Sequence, residues 1–147
     1  MTIDPRAGLA ANLADSNVLL DIATDDERWA GWSDSQVVLV RDAGRVVINP
    51  IIYAEVSVGY DSIETLDDAL PEADFEREPL PIAAGLLAGK AFVTYRRRGG
   101  VNTSPIADFY IGAHAATQCY RLLTRDPSRY RAYFPTLRLL TPDATGE

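Results

Sequence analysis

Arg45-Val46-Val47-Ile48-Asn49-Pro50-Ile51-Ile52-Tyr53-Ala54-Glu55 reads as a strand turning directly into a helix. Its first part is a short β-branched run that suits a buried strand. Asn49 is a strong N-cap, and Pro50 falls at the first helical position, where a missing N–H costs nothing. The helix continues through Ile52, Tyr53, Glu55 and Val56 toward Gly59. A strand that passes straight into a helix predicts crossover connections, and hence a mostly parallel sheet covered on both faces.

The same alternation extends outward in both directions. Residues 9–14 are weakly apolar and run into Asp15, and Leu19, Leu20 and Ile22 follow at helical spacing. Asp25, Asp26 and Glu27 suit the acidic first turn of a second helix over 25–42, carrying Trp29 and Trp32. The acidic stretch 61–78 reads as a solvated helix and loop. Residues 80–82 read as a short strand, and 82–98 as a helix with Leu86, Leu87 and Val93 facing inward. Ser104-Pro105 repeats the cap-then-proline signal and opens a helix to about Gln118. Residues 120–124 and 137–141 read as further strands, the last followed by a polar tail. With no repeat and no flexible linker, residues 1–147 form a single α/β domain, its core spanning about 9–142.

Composition narrows the possibilities. Of 147 residues, 47% are hydrophobic and 24% charged, the balance of a soluble globular chain. No apolar run approaches membrane-spanning length, so no membrane association is expected. The first residues show neither a basic leader nor an apolar stretch, which makes the cytoplasm the expected compartment. One cysteine, Cys119, and one histidine, His114, exclude an internal disulfide and zinc sites built on paired Cys or His. Both are read as structural: His114 projects away from Asp108 on their shared helix, and Cys119 packs at the helix end. Trp32 is placed in the core, and Asp21 on a helix surface.

The net charge of −7 argues against a polyanionic partner until its distribution is considered. Residues 90–131 hold eight bases and two acids, hence +6, against six bases and nineteen acids, or −13, in the rest. Screening isolates such a segment from distant charge, so it can hold a polyanion locally. Arg96, Arg97, Arg98 and Arg125 are therefore candidate nucleic-acid contacts. The first three also suit the end of a helix followed by Gly99-Gly100. Tyr95 beside them is read mainly as packing, with base stacking as the alternative.

In a parallel α/β sheet, each strand's C-terminal end adjoins the start of the next helix, where such folds place their ligands. Asp15 follows the first strand, Glu55 lies early in the helix opened by Asn49-Pro50, and Asp108 early in the one opened by Ser104-Pro105. Asp126 follows the strand that climbs back to the same edge. Clustered carboxylates raise one another's pKa unless a cation compensates them. An oxygen-only donor set favours magnesium or manganese, and either can activate water toward a phosphodiester.

At these residues the chain resembles the PIN-domain ribonucleases, and among them the VapC toxins of toxin–antitoxin pairs. The resemblance is carried by Ala14-Asp15-Ser16-Asn17-Val18-Leu19-Leu20, by Asn49-Pro50 through Glu55, by Pro105-Ile106-Ala107-Asp108-Phe109-Tyr110-Ile111-Gly112-Ala113-His114-Ala115, and by Leu122-Leu123-Thr124-Arg125-Asp126. It implies a three-layer α/β/α domain with about five parallel strands. It further implies Mg2+-dependent (or Mn2+-dependent) endonucleolytic cleavage of RNA. Asp15, Glu55, Asp108 and Asp126 would form the catalytic and metal-binding quartet, with the hydroxyls of Ser16 and Thr124 orienting a carboxylate or water. A homodimer and a cognate antitoxin are implied as partners. The segment before Asp15 is less β-branched than the family's first strand, and many relatives carry asparagine in place of Asp126.

Other classes fit less well. A receiver-like domain needs a lysine after a late strand, and Lys90 falls inside a helix. A haloacid-dehalogenase-type phosphatase needs two aspartates one residue apart, which Asp15-Ser16-Asn17 breaks. No glycine fingerprint for a dinucleotide or P-loop is present. Two alternatives stay open: a PIN nuclease of RNA processing or decay, and a catalytically silent PIN-like binding module.

Overall fold

The computed structural model describes residues 10–145. Leu9, placed above at the edge of the core, and the final residues of the polar tail lie outside the described residues. Five strands form one sheet: β1 (Ala11–Ala14), β2 (Arg45–Ile48), β3 (Glu76–Arg77), β4 (Arg121–Leu123) and β5 (Leu139–Leu140). Their order is β3-β2-β1-β4-β5, and every pairing is parallel. Among the described residues seven helices flank it: α1 (Ser16–Ala23), α2 (Ala30–Ala43), α3 (Pro50–Ser57), α4 (Ile63–Ala69), α5 (Ile82–Arg97), α6 (Ala107–Gln118) and α7 (Ser128–Tyr133). This is the expected α/β/α arrangement. Among the described residues no helix is long and apolar enough to cross a membrane.

The weakest strand in sequence terms holds the central place. Ala-Asn-Leu-Ala has little intrinsic preference for extended structure, yet β1 is hydrogen-bonded on both sides, to β2 and to β4. Tertiary pairing overrides propensity here. Gly44 lets β1 and β2 begin side by side, because any Cβ at that position would collide with the Ala10 carbonyl. Asn49 caps α3 as expected, its side-chain oxygen accepting the Ile52 N–H at 2.9 Å.

Several elements differ from their sequence reading. The second helix starts at Ala30, not Asp25. Asp25 adopts a left-handed φ of 50°, and the Asp26 carboxylate takes the N–H groups of Arg28 and Trp29, so these acids build a turn before the helix. Residues 80–82 are not a strand. The edge strand is the charged pair Glu76–Arg77, held to β2 by a two-pronged Arg45–Glu76 ion pair. Charges are common on an edge, where they discourage further pairing. The helix after Ser104-Pro105 opens two residues late, at Ala107, without a side-chain cap. Helix α7 and the 3-10 turn Pro142–Thr145 were not expected.

Helix α5 presents the opposite face from the one expected. Ala84 and Ala88 are fully buried, while Leu86 is 66% exposed and Leu87 and Val93 also face outward. The alanines, spaced at i, i+4 and i+7 through Ala91, allow a close approach to Phe109 and Ala113 of α6. A bulkier stripe would not fit between these helices.

Gly112 plays a comparable part between α6 and α7. A Cβ there would stand 2.6 Å from the Phe134 ring and 3.2 Å from Tyr130. Gly112→Ala is expected to overpack this contact and cost roughly 1–3 kcal/mol, measured as a fall in unfolding free energy in urea.

Candidate active site

Asp15 stands at the C-terminal end of β1 and caps α1, its Oδ1 accepting the Ser16 N–H at 2.8 Å. It is only 2% exposed. Its other oxygen, Oδ2, faces three donors: Thr124 Oγ1 at 2.9 Å, Tyr130 OH at 2.9 Å and Asn17 Nδ2 at 3.3 Å. Two hydroxyls connect it to neighbouring acids. Ser16 Oγ lies 3.5 Å from Asp15 Oδ1 and donates to Glu55 Oε1 at 2.8 Å. Tyr130 OH lies 3.3 Å from Asp108 Oδ1. The structure thus brings Asp15, Glu55 and Asp108 to one edge of the sheet, each a single hydroxyl from the next.

Asp126 occupies a different place. Its backbone N–H donates to Thr124 Oγ1 at 3.2 Å, while its exposed side chain lines a cavity of about 310 Å³ with Asp108, Ser128, Arg129 and Tyr133. Its carboxylate makes no hydrogen bond to the Asp15 cluster among the described residues. Arg129 Nη1 sits 3.4 Å from Asp108 Oδ2.

Of the candidate arginines, three are engaged within the fold. Arg96 donates to the carbonyls of Gly100 and Asn102 and closes the loop after α5. Arg98 donates to the Ala132 carbonyl and lies over the Tyr133 ring. Arg125 pairs with Asp21 at 2.7 Å and lies over Trp29. Arg97 is exposed at the end of α5. Asp21 is consequently no surface charge: it is buried, and Ser33 Oγ also donates to it. Tyr95 packs against Phe92, Phe109 and Tyr133, and its hydroxyl accepts two backbone N–H groups from the following loop. Trp32 is half-buried against the main core. Cys119, expected to be packed, is exposed and left-handed at the C-terminus of α6.

His114 belongs to a second buried network. Asn49 Oδ1 is committed to the Ile52 N–H, so its Nδ2 faces His114 Nδ1 at 2.9 Å and makes that nitrogen the acceptor. The other ring nitrogen then carries the proton toward Glu78 Oε1 at 3.0 Å. Glu78 also accepts from Gln118 and Tyr120. Burial works to raise the Glu78 pKa, but these donors outweigh it and hold the carboxyl below its usual range. Burial and Glu78 together push the Tyr120 hydroxyl up to about 12. The network ties the start of α3, which carries Glu55, to α6, which carries Asp108.

Sequence reasoning did not single out Tyr130, Asn17 or Arg129. Tyr130 and Arg129 lie on a six-residue helix with no strong start signal. Asn17 was visible only as part of a motif. Its amide spans Asp15 and Thr124, donating to the latter at 3.1 Å.

Among the described residues, no three His, Cys, Asp or Glu side chains are gathered closely enough to hold a metal ion as they stand. The donor set is nonetheless that of a hard divalent cation: carboxylate oxygens, one of them stripped of water. Burial first, and then the charge of Asp108, raise the Asp15 pKa from 3.8 to about 6, against hydrogen bonds from Tyr130, Thr124 and Ser16 that lower it. Without a cation, the folded chain therefore binds this proton more tightly than the unfolded chain. The stability it lends is present below about pH 4 and is lost as pH rises toward 6, roughly 3 kcal/mol in all. In EDTA, the difference in urea unfolding free energy between wild type and Asp15→Asn is expected to grow over that interval, with the variant the more stable at pH 7.

The sequence profile of the PIN domain matches residues 13–135. No curated protein matches the chain. Among solved structures, a chain of VapBC2 from Rickettsia felis, bound to a DNA fragment from its promoter, superimposes with a TM-score of 0.69 at 15% identity, covering 89% of this chain and 98% of that one. A chain of the DNA-bound VapBC from Salmonella typhimurium gives 0.67 at 16% identity, covering 90% and 98%. A chain of VapBC-1 from nontypeable Haemophilus influenzae gives 0.65 at 18%, covering 89% and 97%. At these identities the likeness is one of fold. The profile match over most of the sequence, joined to that fold and to acids gathered at one end of its sheet, makes this chain a member of the PIN-domain family.

Proposed function

We propose that the chain is a divalent-metal-dependent endoribonuclease, the toxin of a toxin–antitoxin pair acting in the cytoplasm. PIN domains are a family of nucleases, and several solved structures that share this fold come from VapBC complexes. The observation that carries the reading is the linkage of Asp15, Glu55 and Asp108 through the hydroxyls of Ser16 and Tyr130. These three carboxylates are the residues that would hold Mg2+ or Mn2+, with Asp126 completing the acidic wall beside Asp108. When bound, the cation would polarise a phosphodiester and lower the pKa of an attacking water.

The chain's own groups set the stage for that chemistry. Ser16 orients Glu55, while Thr124 and Asn17 fix the Asp15 carboxylate from the far side. Arg129, at the mouth of the cavity shared by Asp108 and Asp126, offers a guanidinium to a phosphate. Arg97 and the exposed sides of Arg96 and Arg98 offer positive charge at the end of α5 to an RNA strand, and Arg125 follows Thr124, which bonds Asp15. Asp15→Asn and Asp108→Asn are each expected to lower Mg2+-dependent cleavage of an RNA oligonucleotide by more than about 100-fold while the fold is kept, and EDTA should abolish cleavage by the wild type. Undiminished cleavage by the purified variants would contradict the assignment.

Helix α5 supports the proposed homodimer. Its outward face carries Ile82, Leu86 and Val93, with Gly85 and Gly89 open beside them, a surface that a second copy can cover by close helix packing. Leu86→Glu is expected to yield a monomer in light scattering after size exclusion, with circular dichroism unchanged. The cognate antitoxin would cover the acidic edge with a basic side chain.

A further inference from the structure

The hydroxyl of Tyr130 lies between two of the carboxylates proposed to hold the cation. The residue is 1% exposed. Its ring packs against Gly112, where there is no room even for a methyl group. A phenylalanine would fill the same space, so packing alone does not require the hydroxyl. A buried phenolic oxygen needs a partner, and this one has two, Asp15 Oδ2 at 2.9 Å and Asp108 Oδ1 at 3.3 Å. Its single proton can serve only one of them at a time.

The consequence for Asp15 follows from counting donors. Oδ2 faces the hydroxyls of Thr124 and Tyr130 at 2.9 Å each, which occupy its two lone pairs, while the Asn17 amide lies farther off at 3.3 Å and closer to Thr124. Oδ1 takes the Ser16 N–H at 2.8 Å, with Ser16 Oγ farther off at 3.5 Å, and keeps a lone pair to offer. Asp108 is held by the same short helix. Its Oδ1 faces Tyr130, and its Oδ2 faces Arg129, the preceding residue of α7. One helical turn thus sets the orientation of Asp108 and one side of Asp15.

We propose that Tyr130 is a positioning residue for the cation site: its hydroxyl occupies Asp15 Oδ2, leaves Oδ1 to the metal, and keeps Asp108 one hydroxyl away. This rests on the reading of the acids as a cation site. A ligand held in place by an outer hydrogen bond binds metal more tightly than one free to turn, typically by about 10- to 100-fold.

Tyr130→Phe deletes the hydroxyl and keeps the ring. The test is Mn2+ binding, followed by the electron paramagnetic resonance signal of the free ion, on wild type and variant without RNA. The expected result is an affinity about tenfold weaker in Tyr130→Phe, with thermal unfolding within a few degrees of wild type and KM for RNA unchanged at saturating Mn2+. A variant that binds Mn2+ as tightly as wild type, or more tightly, overturns the assignment of Tyr130 alone. A wild type that binds no Mn2+ overturns the cation site and this inference together.

Discussion

A carboxylate almost stripped of water stands at the end of the central strand, and the rest of the site is arranged around it. Asp15 is fixed because β1 is paired on both sides. Its desolvation would be prohibitive without donors, and four surround it: the Ser16 N–H and the side chains of Asn17, Thr124 and Tyr130. They come from α1, from the exit of β4 and from α7. Satisfying one buried group therefore brings three distant stretches of chain to the same edge. Even so, burial and Asp108 leave the Asp15 pKa raised. Unfavourable electrostatics of this kind, retained within a well-bonded frame, is relieved by a bound positive charge.

The frame has a second anchor farther along the sheet. Glu78 follows the edge strand and gathers His114, Gln118 and Tyr120, and His114 in turn meets Asn49. Asn49 thus both caps α3 and links it to α6. The helices that carry Glu55 and Asp108 are held relative to one another by buried hydrogen bonds as well as by apolar packing. The sole histidine is used here, in a neutral form whose tautomer follows from the capping bond.

What could be read from sequence was local. Asn49-Pro50 announces its helix through a side-chain cap and a fixed φ, both properties of adjacent residues, and the structure bears this out. The strand read over 45–49, which the structure ends at Ile48, and the parallel α/β class belong to the same local reading. What could not be read depended on partners remote in the chain. Glu76–Arg77 has no strand signature and becomes a strand by pairing with Val47 and Ile48 of β2, with the Arg45–Glu76 ion pair beside it. Leu86 outranks Ala84 in hydrophobicity, but close contact with α6 selects the small residue. Asp21 looked like a solvated charge because its partners, Ser33 and Arg125, lie 12 and 104 residues away. Tyr130 was missed for the same reason: 115 residues separate it from Asp15.

The convergence of Asp15, Glu55 and Asp108 on one ion is the central claim, and anomalous diffraction from crystals soaked in Mn2+ tests it most directly. Data collected at the manganese edge should show one dominant peak bounded by Asp15 Oδ1 and the carboxylates of Glu55 and Asp108, and no such peak in crystals of Asp15→Asn. Full Mn2+ occupancy elsewhere, with these three side chains left as they stand, would contradict it.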